Sequence, residues 1–209
     1  MSADDVHDHF PLFPLGMVAL PHEYVPLHIF EDRYRAMIAE CVDAQREFGI
    51  VWISDDGLRT SGCAMRVERV LEEFDDGRMN ILCRGTRVFE LLERTDDVPY
   101  PTGAVRFVDD VPEVRDPVTA EEAHVAYQAL VQEATDNVLD PDDLRNLDAY
   151  GMAATVDFGL DAKQGLLELR SENARLRLVT RLFRAATKRL DFIERAQVRA
   201  RSNGKVRFG

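Results

Sequence analysis

Cysteine is scarce in this chain and badly placed for bonding. Cys41, Cys63 and Cys83 are odd in number, widely spaced and include no C-x-x-C. A disulfide framework is therefore excluded, and a reducing cytosol is the natural setting. No apolar run approaches the roughly 18 residues a membrane helix needs, so no membrane partner is expected. The acidic, polar opening MSADDVHDHF lacks the character of a secretory signal. No G-x-x-x-x-G-K-[ST] loop is present, because Gly204-Lys205 lacks a preceding glycine at the right spacing. Ser54, Ser61, Ser171 and Ser202 have no G-x-S-x-G frame. Of the five histidines, His7 and His9 stand close together without further ligands, and His22, His28 and His124 are isolated. A structural metal site needs about four ligands. The acidic pairs Glu72-Glu73, Asp75-Asp76, Asp96-Asp97 and Asp109-Asp110 fall at strand ends, where solvated turn charge is the simpler reading. No catalytic residue, no cofactor and no metal is expected.

Basic residues are also sparse, except at one end. The 209 residues carry a net charge of −12. From Arg170 to Gly209 there are 12 basic and 3 acidic residues, a net of +9, which leaves −21 for residues 1–169. Such a split marks either a nucleic-acid or membrane contact at the basic end, or one part of the protein docking on another.

Proline is concentrated near the start. Residues 11–34, PLFPLGMVALPHEYVPLHIFEDRY, hold Pro11, Pro14, Pro21 and Pro26. Proline lacks a backbone donor, so short strands at sheet edges or bulges are expected here, and a long regular central strand is not. Val25, Leu27 and Ile29 alternate as in a strand. Glu31 and Asp32 suit a helix start, and Tyr34, Met37, Ile38, Cys41 and Val42 then recur at helical spacing. Ile50–Ile53 reads as a buried strand. Two strands, about 63–71 and 79–83, flank a hairpin turn at Asp75-Asp76-Gly77. The broken parity between Val67 and Val70 predicts a bulge. Gly85 precedes another strand at 88–92, and 103–108 supplies the last. This spacing suggests a small barrel or a strongly bent sheet.

A proline-containing linker over 111–118 opens a helical half. Capping patterns at Thr119…Glu122, Asp140-Pro141, Asp161…Gln164 and Ser171 predict helices over about 120–137, 141–156, 162–170 and 172–200. In the last, Leu176, Val179, Phe183, Ala186, Leu190 and Ile193 form one apolar seam. Arg177, Arg181, Arg184, Lys188 and Arg195 take the opposite face. The expected division is a flexible tail over 1–9, a β-rich part over 10–112, a helical part over 113–202 and a second tail over 203–209.

Three stretches resemble the Lon protease N-terminal domain family. The first is Pro11-Leu12-Phe13-Pro14-Leu15 with Pro26-Leu27, Phe30-Glu31 and Arg33-Tyr34. The second is Gly62, Asp76-Gly77, Gly85, Arg87-Val88 and Pro99-Tyr100. The third is Lys163-Gln164, Leu166-Leu167-Glu168 and Arg175-Leu176. The resemblance implies an α+β fold: a PUA-like small β-barrel with an inserted helix, then a C-terminal helical bundle with one long helix. It also implies a stand-alone relative of the substrate-binding module, without the ATPase and peptidase modules. The implied function is non-catalytic polypeptide binding, as an adaptor or regulator in proteolysis or protein quality control. Its partner would be a polypeptide client or a protease. Phe10, Phe13, Tyr24, Phe30 and Tyr34 form either an exposed peptide-binding patch or core filling, with core favoured for each taken singly. The basic face of the last helix offers self-association or, as an alternative function, nucleic-acid binding. The acidic β-rich part disfavours the latter, since basic residues do not interleave with aromatics there.

Overall fold

A computed structural model of the chain describes residues 6–95 and 98–203. Most of both expected tails (1–5 and 204–209) and the Asp96-Asp97 pair lie outside the described residues. The chain divides into two compact units. Residues 1–112 with 153–171 form the first, and 113–152 with 172–209 form the second.

The first unit holds β1 (Val6–Leu15), β2 (Tyr24–Ile29), α1 (Asp32–Asp43), β3 (Phe48–Ser54), β4 (Gly57–Glu73), β5 (Met79–Thr95), β6 (Thr102–Phe107) and α5 (Leu160–Glu168). The second holds α2 (Pro117–Thr135), α3 (Pro141–Arg145), α6 (Glu172–Asn203) and all but the last residue of α4 (Ala149–Ala153). The 153–171 segment, expected with the helices, thus packs with the sheet, where α5 lies against β4.

The mixed sheet runs β2-β5-β4-β3-β1-β6, and a further β5–β6 pairing brings β6 back onto β5. All pairs are antiparallel except β1 with β3. β1 departs from expectation: residues 6–9 are strand rather than tail, and the ten-residue strand has neighbours on both sides. Its two ladders occupy different halves. Val6 to Pro11 pairs with β6, with a register shift near His9, and Leu12 to Leu15 pairs with β3. Backbone donors alternate sides along a strand. Leu12 N–H points toward the β6 side, where it donates to Pro101 O at 2.8 Å. Pro14 shares that parity, but the β6 ladder has ended by then. Pro11 has the opposite parity, and the β3 ladder has not begun. Each missing donor faces a side without a partner, which is how a two-sided strand accommodates two prolines.

β5 is also longer than expected. Gly85 does not separate two strands; it lies within one, where a side chain would collide with the Leu20 carbonyl, 2.0 Å from the position of a Cβ. The hairpin turn at Asp75–Gly77 forms, with Gly77 at φ +80°, and the register shifts between Val67 and Arg69 as a bulge requires. The core of the sheet gathers Phe10, Leu12, Val51, Ala64, Phe89, Leu91 and Val105. The Phe89 ring lies over Gly49 and Gly62, where its Cζ stands 2.5 Å from the Cβ either glycine lacks. The buried face of α1 presents Tyr34, Met37, Ile38 and Cys41, with Tyr34 stacked on Phe13 at 4.1 Å. All three cysteines are buried and unbonded. Burial pushes the Cys41 thiol up to about 11 and the Cys83 thiol up to about 12.

In the second unit α2 starts earlier than the Thr119…Glu122 pattern implied. Asp116 is the cap, accepting from Val118 and Thr119 N–H, with Pro117 in the first turn. Asp140 caps α3, accepting from Asp142 N–H. The single helix expected over 141–156 is two, because Asp148 Oδ1 accepts from Gly151 N–H at 2.6 Å and restarts the chain as α4. α2 packs on α6 through Ala120, Ala123 and Tyr127 on one side and Leu176, Val179 and Phe183 on the other. Tyr127 and Phe183 meet at 5.2 Å. α5, in the first unit, begins after Gly159 without a side-chain cap, so the Asp161…Gln164 box does not form.

Candidate functional site

The five aromatic candidates separate. Phe10, Phe13 and Tyr34 are buried, at 8%, 7% and 6% exposure. Phe10 points into the sheet core against Phe89, and Phe13 and Tyr34 form the contact between sheet and α1. They are not available to a ligand. Tyr24 and Phe30 are exposed, at 57% and 59%.

β2 explains the split. Its alternation buries Val25 and Ile29 and turns Tyr24, Pro26 and His28 outward. Phe30 follows just past the strand, stacked on His28 with centroids 5.9 Å apart. Phe74 meets His28 edge-to-face at 6.1 Å. The register sets Tyr24 beside Arg84, Pro26 beside Leu82 and His28 beside Asn80. Asn80 Nδ2 donates to Glu72 at 2.9 Å, and its Oδ1 lies 2.7 Å from His28 Nδ1, which fixes the imidazole in place. Val70 and Leu71 are 44% and 51% exposed. An open groove of about 520 Å³ crosses this face between Pro26, His28, Leu71 and Asn80. Arg84 and Arg78 stand over the Tyr24 and Phe74 rings at 5.7 and 5.2 Å. β2 is paired only with β5, so its other backbone edge has no strand beside it among the described residues.

Val70, Leu71 and Phe74 were not singled out from sequence. The available signal was the parity break, because a further register shift, between Val70 and Glu72, leaves Leu71 without a partner on β5.

Other residues that carried the resemblance are anchors. The loop between β1 and β2 is held by His22 N–H to Gly85 O and Gly85 N–H to Glu23 O, each at 2.9 Å. Glu23 accepts from Leu20 N–H at 2.8 Å and from Lys163 Nζ at 2.5 Å. Gln164 donates to Ser61 O at 3.2 Å, which ties α5 to β4. Tyr100 OH donates to Glu40 on α1 at 2.6 Å; burial first, and that bond second, push its hydroxyl up to about 12. In the second unit Arg175, with a 4% exposed side chain, donates to Glu172 at 3.0 Å and lies over the Tyr150 ring at 4.4 Å.

Arg177, Arg181, Arg184, Lys188 and Arg195 are all exposed on α6, as the seam predicted. Arg184 pairs with Glu122 at 3.6 Å and Arg195 with Asp191 at 3.1 Å, which reduces the free positive charge of the stripe. The seam is buried at Leu176, Val179 and Phe183, but its Ile193 is 43% exposed, and Phe192, 72% exposed, lies beside Lys188 and Arg195 on the basic face. Among the described residues no group of three or more His, Cys, Asp or Glu could hold a metal, and no helix is long and apolar enough to cross a membrane.

Known proteins share this fold. A Lon N-terminal domain protein from Xanthomonas campestris superposes with a TM-score of 0.62 at 25% identity, covering 80% of this chain and 94% of its own. The N-terminal domain of a Mycobacterium avium complex Lon protease also gives 0.62, at 21% identity, covering 83% and 97%. Lon protease from Anaeromyxobacter dehalogenans is 25% identical over 87% of this chain, and Lon protease from Parabacteroides distasonis 30% identical over 51%. The chain spans only 24% and 14% of those two relatives. The sheet with six helices is thus a Lon N-terminal domain fold. Residues 9–185 match the model of the ATP-dependent protease La (LON) substrate-binding domain, and the chain belongs to that family.

Proposed function

We propose that the chain binds polypeptide segments on the outer face of β2, β5 and β4, and that it does so without catalysing a reaction. The observation that carries this is the pair of large exposed aromatics, Tyr24 and Phe30, beside an open groove on a strand with one unpaired edge. An extended peptide gains main-chain hydrogen bonds from such an edge, and side-chain pockets supply selectivity. Pro26 removes one donor from the edge, so apolar contact with Tyr24, Pro26, Leu71 and Phe30 carries most of the affinity. The family match supports a role as the binding partner of a client or of a protease, as an adaptor or regulator in proteolysis. The return of β6 onto β5 supports reading the sheet as the small PUA-like barrel. A cytoplasmic setting agrees with three buried free thiols.

The test is fluorescence anisotropy with labelled, reduced and carboxymethylated α-lactalbumin, a permanently unfolded polypeptide. Truncating an interface aromatic costs about 2 kcal/mol. Tyr24→Ser with Phe30→Ser should therefore weaken binding by at least ten-fold. Equal affinity of wild type and double variant would overturn this placement.

A second reading is self-association through the far half of α6. Its specific support is the exposure of Ile193 where the seam runs beyond its buried stretch.

A further inference from the structure

A second open groove of about 570 Å³ lies elsewhere on the sheet unit, lined by His7 of β1, Arg46 and Glu47 before β3, Arg66 of β4, Arg87 of β5 and Phe107 of β6. Its floor is a carboxylate: the Glu47 side chain is only 11% exposed. Arg87 Nε and Nη2 donate to Glu47 Oε2 at 3.2 and 3.0 Å. Arg66 Nη2 reaches Glu47 Oε1 at 3.4 Å. The Arg87 guanidinium is also pressed on the Phe107 ring, 3.4 Å from its centroid, with His7 edge-on to the same ring at 4.9 Å.

One buried carboxylate thus gathers two guanidiniums that would otherwise repel, and aromatic packing keeps one of them rigid. Arg46, exposed at the rim, brings a third, and Asp8 is the only other carboxylate in the lining. Three guanidiniums against two carboxylates leave an excess of about one positive charge, in a part of the chain whose residues 1–169 are strongly acidic. A single excess charge beside a fixed carboxylate suits a monoanion better than a phosphate, whose second charge Glu47 would oppose. The outer donors of Arg46 and Arg66 have the planar geometry that pairs with carboxylate oxygens. We infer that this groove is a carboxylate-binding site that takes an acidic side chain or the free C-terminus of a bound polypeptide. The inference rests on the polypeptide-binding reading, but it concerns a different face and a different ligand group.

The experiment is an NMR titration of the full ¹⁵N-labelled chain with three probes: a hexapeptide ending in Phe-Glu-Glu with a free C-terminus, its Phe-Gln-Gln amide, and inorganic phosphate. The acidic peptide should move the signals of His7, Glu47, Arg66 and Arg87, and the amide should not. Arg46→Gln with Arg66→Gln should weaken the acidic peptide about ten-fold, as expected for a lost charge-assisted contact. Both residues are exposed, so the thermal midpoint should stay unchanged, and Arg46→Lys with Arg66→Lys should restore part of the affinity. If both peptides move only Tyr24 to Phe30, the groove assignment is overturned while the polypeptide-binding reading stands. If phosphate moves the groove signals and the acidic peptide does not, the carboxylate assignment is overturned. If no probe moves them, it is overturned as well.

Discussion

Lys163 and Glu23 make the ion pair whose removal should be felt most strongly in the sheet unit. Their side chains are 11% and 15% exposed, and the Nζ–Oε1 distance is 2.5 Å. Removing one partner of a buried pair costs about 3–5 kcal/mol, because the other charge is left desolvated. The residual exposure places Lys163→Met at the low end, near 3 kcal/mol, since Glu23 keeps its bond from Leu20 N–H. Glu23→Gln strands the ammonium instead and should cost a similar amount. In the double variant the glutamine oxygen still accepts from Leu20 and no charge is buried. The double variant should therefore lose well under the sum of the two single losses, with a coupling of about 2 kcal/mol. Urea unfolding followed by tryptophan fluorescence reads this directly, since Trp52 on β3 belongs to the same unit. The effect should persist in about 0.5 M NaCl, because buried pairs are weakly screened. A loss under about 1 kcal/mol that disappears in salt is the signature of a surface pair. That result, or strict additivity in the double variant, would refute the assignment of Lys163 as the clamp between α5 and the β1–β2 loop.

Gly85→Ala should destabilise the same unit by about 3 kcal/mol, the upper end for overpacking, because both the new methyl and the Leu20 carbonyl belong to fixed backbone; urea midpoints check it. Gly49→Ala should cost less in the same assay, since the facing atoms belong to the Phe89 and Phe10 rings, which have some freedom to tilt. Ile193→Ser should leave the midpoint unchanged and abolish any dimer seen by light scattering; a persisting dimer excludes the α6 seam as its interface. Burial raises the Glu172 carboxyl above its ordinary range, opposed by bonds from Ala149 N–H and Arg175. Its folded value lies above the unfolded one, so its contribution to stability is present below the unfolded value and is lost as pH rises through the folded one. Calorimetry of Glu172→Gln should show that downward slope removed, and an unchanged slope would assign the pH dependence to another group.

How far the residues disclosed the outcome depended on whether the relevant contact was local. The β2 alternation, the Gly77 turn, the bulge after Val67 and the Asp140 cap each follow from a few neighbouring residues, and each is present. The place of 153–171 does not, because α5 is fixed by Lys163 to Glu23 and Gln164 to Ser61, partners more than a hundred residues away. β1 shows the same limit. Its prolines correctly implied missing donors, but only the ladder partners show that one strand can be two-sided and still leave each proline on an empty side. The aromatic candidates shared one composition and divided by parity: Tyr24 lies on the outward register of an edge strand, and Phe10 on the inward register of a central one.

That division bears on what the residues behind the resemblance do. Gly62, Gly85, Tyr100, Lys163, Gln164 and Arg175 carried the resemblance, and each is occupied with holding one element against another within its unit. A residue spent on an internal hydrogen bond has no free valence for a client. The groups left facing outward are Tyr24, Phe30 and Leu71 on one face and Arg46 and the outer donors of Arg66 on another. A scaffold built this way can keep its anchors and change its exposed side chains without loss of stability. Selectivity for one polypeptide over another should therefore reside in the outward set, and exchanging those side chains between two such domains should transfer client preference while the urea midpoint stays with the anchors.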